Sequence, residues 1–188
     1  CQIRFSIMKD EVLLMLDSSG VGLHKRGYRR DSNAAPIKET LAAGIIDIAR
    51  VRENDVICDP FCGSGTLLIE AALKALNIAP GLKRSFAAER FGFIPEKLWQ
   101  EARAQAAEQV KHDTQFRAFG YDADGTCVEL TAANARKAGV KLTCERRDIK
   151  DFVSPAQPLK IITNPPYGER MLEVSAARDI YRIMGEKL

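Results

Sequence analysis

The stretch Asn164-Pro165-Pro166-Tyr167, entered through the apolar run Ile161-Ile162-Thr163, holds the residues best suited to chemistry. Neither proline can donate to a sheet ladder, so a strand has to end there. A residue before proline is pushed toward extended geometry, which stiffens the backbone at Asn164. The loop then offers acceptors, the Asn164 amide oxygen and backbone carbonyls such as that of Pro165, and few donors. Tyr167 adds a flat face. Acceptors beside a ring suit a planar group that carries an NH2. A plain proline turn after a core strand accounts for the same residues with no ligand at all.

A second stretch with chemical potential is Asp59-Pro60-Phe61-Cys62-Gly63-Ser64-Gly65-Thr66. Gly63 and Gly65 allow a sharp turn and close approach of backbone to a ligand. The helix that follows opens with free N–H groups. The dinucleotide fingerprint fails, because its third glycine position is Leu68. An acid at the strand end, Asp59, suits a ligand with a positive group better than a pyrophosphate. A purely structural turn is the alternative.

Two more acids sit where strands are expected to end: Asp122, with Ala123 and Asp124 after it, and Asp148, with Ile149 after it. An acid after the second strand of a doubly wound sheet is where a ribose diol is gripped. Asp124 reads better as the cap of the next helix. Asp148 could accept from an adenine amino group or be a surface acid. Near the other end, His24-Lys25-Arg26-Gly27-Tyr28-Arg29-Arg30 places basic residues around one tyrosine. That pattern fits a nucleic-acid backbone patch with a stacking ring, or a solvated connector. Thr40, in the first turn of a helix, is a secondary candidate for a ligand contact.

The elements that must position these residues follow from hydrophobic period. Ile3, Phe5 and Ile7 alternate, Lys9-Asp10-Glu11 can turn, and Val12 to Leu16 is apolar, so residues 2–17 read as a hairpin. Pro36 precedes a helix over 37–50. Its Leu41/Ile45/Ile48 and Ala42/Ile46/Ala49 faces predict a well-buried helix. A short strand ends at Asp59 and a helix starts after Thr66. Residues 77–116 read as an insertion, with a helix from Pro95 to about His112 anchored by Trp99. A second strand, 116–121, leads to a helix stopped by Gly139. Third and fourth strands run over 141–145 and 159–163, and a last helix carries Ile180, Ile183, Met184 and Leu188 on one side. Strand and helix alternate, which predicts a parallel sheet with Asp59, Asp122, Asp148 and Asn164 converging at its carboxyl edge.

With 188 residues there is chain enough for one domain with a core, and the net charge of +3 permits a nucleic-acid partner without requiring one. No apolar run is long enough to span a membrane and no secretory leader is visible. Five scattered cysteines with no CxxC pair predict reduced intracellular thiols and no metal site.

The order Asp59-Pro-Phe-Cys-Gly-Ser-Gly-Thr66, Asp122, Asp148, Asn164-Pro-Pro-Tyr167 resembles a class I S-adenosylmethionine-dependent methyltransferase of the amino-methylating type. Leu23-His-Lys-Arg-Gly-Tyr-Arg29, Ala35-Pro-Ile-Lys-Glu-Thr-Leu-Ala42 and Pro80-Gly-Leu-Lys-Arg-Ser-Phe86 narrow the likeness to the THUMP-associated RNA guanine-N2 methyltransferases, a group whose members often carry the name N6-adenine-specific DNA methylase. The resemblance implies an α/β, Rossmann-like doubly wound sheet with an N-terminal β-hairpin extension. It implies a cytoplasmic bacterial enzyme using S-adenosyl-L-methionine on 23S ribosomal RNA, with DNA as the alternative target. It places Asp59, Pro60, Phe61, Cys62, Gly63, Gly65 and Thr66 at the methionine moiety, Thr40 closing that side, Asp122 and Ala123 at the ribose, and Asp148 with Ile149 at the adenine. Asn164 and the Pro165 carbonyl would take the target NH2, with Pro166 and Tyr167 completing that wall. Set against the family pattern, the chain is expected to be an excised piece: a hairpin and basic connector over 1–30, then a catalytic domain over 31–188 whose sheet stops after its fourth strand. A protein glutamine amide target, and a binding module without catalysis, stand as further alternatives.

Overall fold

The computed structural model describes residues 2–29, 37–167 and 174–188. Arg30 and Pro36, both named above, lie outside them. The chain opens with the expected hairpin, β1 (Gln2–Met8) against β2 (Glu11–Asp17). Lys9 and Asp10 carry the turn at φ 51° and 61°, the left-handed pair that a two-residue hairpin turn requires. Pairing puts Ile3, Phe5 and Ile7 opposite Leu16, Leu14 and Val12, so one face of the ribbon is wholly apolar, and all six side chains are exposed. The base of the hairpin is held by residues 84–88: Ala88 N–H donates to Ser18 O (3.0 Å), and Arg84 donates to the carbonyl of Gly22 (3.3 Å).

A second, four-stranded parallel sheet has the order β5-β4-β3-β6, from Thr143–Arg146, Arg117–Asp122, Val56–Asp59 and Lys160–Ile161. The chain runs outward from β3 through β4 to β5, then returns to the other side of β3. The strand order therefore reverses between β3 and β6, and the crevice that such sheets use for ligands opens there.

Alternate residues of β3 feed opposite faces. Ile57 packs with Ala42 and Ile46 of α1 (Glu39–Ile48) and with Leu67, Leu68 and Ala71 of α2 (Thr66–Ala75). Cys58 packs on the other side with Tyr121, Ile149 and Phe152, against Ile183 and Met184 of the last helix, which we number α5 (Val174–Lys187). Helical cover on both faces makes the sheet doubly wound. Between them lie α3 (Glu96–Glu108) and α4 (Gly125–Ala138). Asp124 caps α4 by accepting from Thr126 N–H at 2.8 Å, and Gly139 ends it at φ 81°.

Three expectations are corrected. The first helix is buried on one face, through Ala42 and Ile46, while Leu41 is 58% and Ile48 85% exposed, because α2 covers that one side. The insertion helix stops at Glu108 and buries none of its residues, although Trp99 does stack on Phe86 with ring centroids 6.1 Å apart. The basic stretch is largely an internal brace. Tyr28 is 4% exposed and its hydroxyl donates to Glu70 on α2 at 3.0 Å. Arg26 forms an ion pair with the same carboxylate at 2.8 Å, and Arg29 donates to Glu39 (3.1 Å) and to the Ile37 carbonyl (3.0 Å). A ring so buried has no face to offer a base, and two of the guanidiniums are committed inside. Lys25 stays exposed and His24 is half-buried.

Burial raises the Glu70 carboxyl above its usual range, and Arg26 and Tyr28 work against that rise. Removing Glu70 strands two buried polar partners. Glu70→Ala is expected to cost about 3–5 kcal/mol in urea unfolding, far more than a surface ion pair. A loss below about 1 kcal/mol would show that the brace contributes little.

Candidate active site

The loop after β3 is built from backbone bonds. Cys62 N–H donates to Tyr121 O on β4 at 2.9 Å, and Gly65 N–H closes a turn on Cys62 O at 2.7 Å. Gly63 N–H donates to Asp122 Oδ2 at 2.9 Å, and the other oxygen of Asp122 accepts from Asp124 N–H at 3.0 Å. From α4, Thr131 Oγ1 donates to Gly63 O and Asn134 Nδ2 to Ser64 O, each at 2.9 Å. Both side chains are fully buried. Their sequence signal is faint: two polar residues three apart on an otherwise alanine-rich face. Gly65 sits at φ +78°, and a Cβ there would stand 2.7 Å from Thr131 Cγ2. Gly65→Ala therefore faces both a left-handed backbone and a clash. We expect a loss of at least about 1–2 kcal/mol in thermal unfolding; an unchanged melting temperature would refute the rigid-loop description.

Asp59, at the end of β3, is 2% exposed. Its Oδ1 accepts from Phe61 N–H at 3.0 Å and from the Thr163 hydroxyl at 2.6 Å. Burial pushes this carboxyl up to about 7; the Thr163 and Phe61 hydrogen bonds oppose the rise and the charge of Asp122 adds to it. An unfolded aspartate titrates near ~3.9, so the folded value is the higher one. Its contribution to stability is full below about pH 4 and is lost as the pH rises through about 7.

These elements enclose a cleft of about 280 Å³ at the carboxyl edge of the sheet, near the lower end of the size range of small-molecule sites. Asp59, Phe61, Cys62, Gly63, Thr66, Asp122 and Asn164 face it, together with Pro166. Ser64 of the same loop lines it too, as do Ile37, Leu67, Asp124 and Cys127, which sequence reasoning did not place in the pocket. Among the described residues its walls carry three carboxylates and no basic side chain.

Several expected residues lie elsewhere. Thr40 is exposed and does not line the cleft; Ile37, three residues earlier, forms that wall. Pro60 is fully buried beneath the loop, and Gly65 supplies the turn into α2 rather than a wall. Ala123 O accepts from Arg146 Nε at 2.9 Å. Asp148 caps the turn Ile149–Asp151 by accepting from Lys150 N–H at 3.0 Å, and Ile149 is buried. Neither lines the cleft, yet Arg147 N–H donates to Asp122 O at 2.9 Å, and Asp148 is the next residue along, two past Arg146, the register partner of Asp122. The fourth strand is shorter than expected, Lys160–Ile161, with one further rung from Ile162 N–H to Cys58 O at 3.0 Å. Asn164 and Tyr167 are exposed and Pro165 is half-buried.

The chain spans about half the length, or less, of the relatives it matches. It is 42% identical over 187 residues to "Putative RNA methyltransferase YpsC" of Bacillus subtilis (strain 168), covering 98% of this chain and 49% of that one. It is 38% identical over 201 residues to "Ribosomal RNA large subunit methyltransferase K/L" of Vibrio campbellii, covering 28% of that protein. Among solved structures, a "predicted N6-adenine-specific DNA methylase" from Listeria monocytogenes superposes with a TM-score of 0.92 at 41% identity, with 98% of this chain and 49% of that one covered. SMU.472, "a putative methyltransferase complexed with SAH", gives 0.90 at 42% over the same shares. These structures share the α/β methyltransferase architecture seen here. A family model for the RMKL-like methyltransferase domain matches residues 26–188, and the chain belongs to that family, UPF0020.

Proposed function

We propose that this chain is the catalytic domain of an S-adenosylmethionine-dependent RNA methyltransferase that modifies a nucleobase amino group, most specifically guanine N2 of 23S ribosomal RNA. The observation that carries the reading is the acidic cleft at the β3/β6 crevice, with Asn164-Pro165-Pro166 at its rim. Three carboxylates without a cation repel a pyrophosphate and suit a ligand bearing an ammonium and a sulfonium. A buried acid held up to about 7 gains most from such a partner.

Bound there, S-adenosylmethionine supplies an electrophilic methyl group. The residues present fit it. Asp59 meets the ammonium, the Phe61–Thr66 backbone lies along the methionine moiety, and Asp122 takes the ribose hydroxyls. Each Asp122 oxygen already accepts one backbone N–H and keeps a lone pair for a hydroxyl. Asp148 and the Ile149 backbone, beyond Asp122, are assigned to the adenine.

An exocyclic NH2 is a poor nucleophile because its lone pair is delocalised into the ring. Asn164 Oδ1 and the Pro165 carbonyl accept its two hydrogens and localise that pair. Holding the nitrogen in line with the methyl supplies the proximity gain. Tyr167, exposed beside the loop, stacks on the unstacked base and returns about 1–3 kcal/mol of the flipping cost. The RNA assignment rests on the named relatives and not on the basic stretch, of which Arg26, Tyr28 and Arg29 are engaged internally.

Two measurements test this. Calorimetry with S-adenosylhomocysteine is expected to show binding that tightens about tenfold between pH 5.5 and 7, as Asp59 ionises; a flat profile would remove Asp59 from the ammonium. Label transfer from methyl-labelled cofactor by the full-length enzyme is expected into ribosomal RNA. Transfer to duplex DNA alone would keep the mechanism and move the substrate.

A further inference from the structure

We propose that Thr163 is a positioning residue whose hydroxyl makes filling of the cofactor cleft and setting of the Asn164 loop a single event. This rests on the reading that a cofactor ammonium meets Asp59 and that Asn164 takes the target amino group.

Little sheet lies under the loop. β6 pairs with β3 through Ile57↔Lys160 and Cys58↔Ile161, and Ile162 N–H adds a final rung to Cys58 O. Pro165 and Pro166 have no N–H with which to continue the ladder. Past that rung, the described structure holds the loop to β3 through the Thr163 hydroxyl on Asp59 Oδ1, at 2.6 Å. The same oxygen accepts from Phe61 N–H, at the start of the cofactor loop. One carboxylate oxygen thus joins the two walls of the cleft. Among the described residues both bonds fall on Oδ1, which leaves Oδ2 for an ammonium.

Ionisation is the coupling. A hydroxyl bond to a carboxylate is roughly twice as strong as one to a neutral acceptor. An ammonium at Oδ2 draws Asp59 into its charged form, and the Thr163 bond tightens with it. Among the described residues, the charged and titratable groups facing Asp59 are Asp122 on β4, Cys58 on its own strand and Cys62 in the loop. None of them is a cation, so the ligand is the natural source of positive charge. With Asp59 neutral the Thr163 bond is at its weaker strength; binding strengthens it before a target base arrives.

Hydrogen exchange read by mass spectrometry on this chain, with and without S-adenosylhomocysteine, tests the coupling. In the wild type the ligand is expected to slow exchange in both the 61–66 loop and the 161–167 segment. Thr163→Val removes the hydroxyl and keeps the shape. It is expected to retain protection of 61–66, lose that of 161–167, and shift the pH midpoint of ligand affinity upward. Thr163→Ser keeps the hydroxyl and is expected to restore both behaviours. Protection of 161–167 and a pH midpoint that are unchanged in Thr163→Val would overturn the proposal. So would a Thr163→Val chain that no longer unfolds cooperatively, since the hydroxyl would then be structural. Absence of ligand protection at 61–66 in the wild type would refute the cofactor reading itself, and the coupling with it.

Discussion

Asn164→Ala is expected to lower methyl transfer by at least ~100-fold while cofactor affinity stays within a few-fold. The magnitude follows from the loss of one preorganised polar contact to the reacting group, worth roughly 10²–10³ in kcat. Asn164 is exposed at the rim of the cleft, past the last rung of β6, so its truncation leaves the core of the sheet untouched. The Pro165 carbonyl remains as an acceptor, but one acceptor cannot hold both hydrogens of an NH2. The measurement is single-turnover transfer with the full-length enzyme beside calorimetry with S-adenosylhomocysteine. Full transfer in the variant would remove Asn164 from the chemistry. A matching loss of cofactor affinity would recast it as a binding residue.

Asp122→Ala is expected to weaken cofactor binding by at least ~100-fold. Hydrogen bonds to a charged group contribute about 1.5–3 kcal/mol each, and two ribose hydroxyls would lose their acceptor. There is a second cost, because Asp122 also receives the Gly63 and Asp124 N–H groups and so sets the glycine loop. Asp122→Asn is expected to lower affinity through both at once, since an amide has a single acceptor oxygen and no charge. One end of an amide must turn its NH2 toward a backbone N–H, so the loop loses a bond while the side-chain volume is kept. Unchanged affinity in Asp122→Ala, by calorimetry, would refute the ribose assignment.

Local chemistry wrote much of this fold into the sequence. Alternating Ile3, Phe5 and Ile7 and the Lys9-Asp10 turn specify a hairpin whatever lies beyond it. Asp124 and Gly139 mark the ends of α4 because capping is a matter of a few adjacent residues. The acids at the ends of β3 and β4 and the Asn164 loop converge because parallel strands bring their carboxyl ends to one edge. What stayed hidden depends on partners distant in sequence. Tyr28, Arg26 and Arg29 look like a surface patch until Glu70 and Glu39 are found buried beneath them. Leu41 and Ile48 read as core, since the helix period cannot say which face α2 will cover. Thr131 and Asn134 pin the loop after β3 from a helix some seventy residues away, and their neighbours announce it only faintly. Thr163 is read as one more strand residue until its hydroxyl is seen on Asp59.

The most direct test uses the full-length enzyme with methyl-labelled S-adenosylmethionine, unmodified ribosomal RNA and duplex DNA in parallel, with digestion to nucleosides and mass spectrometry of the labelled species. Label is expected in N2-methylguanosine from the RNA. Label confined to N6-methyladenine from DNA would contradict the substrate, and no label in either nucleic acid would contradict the assignment to nucleobase methylation.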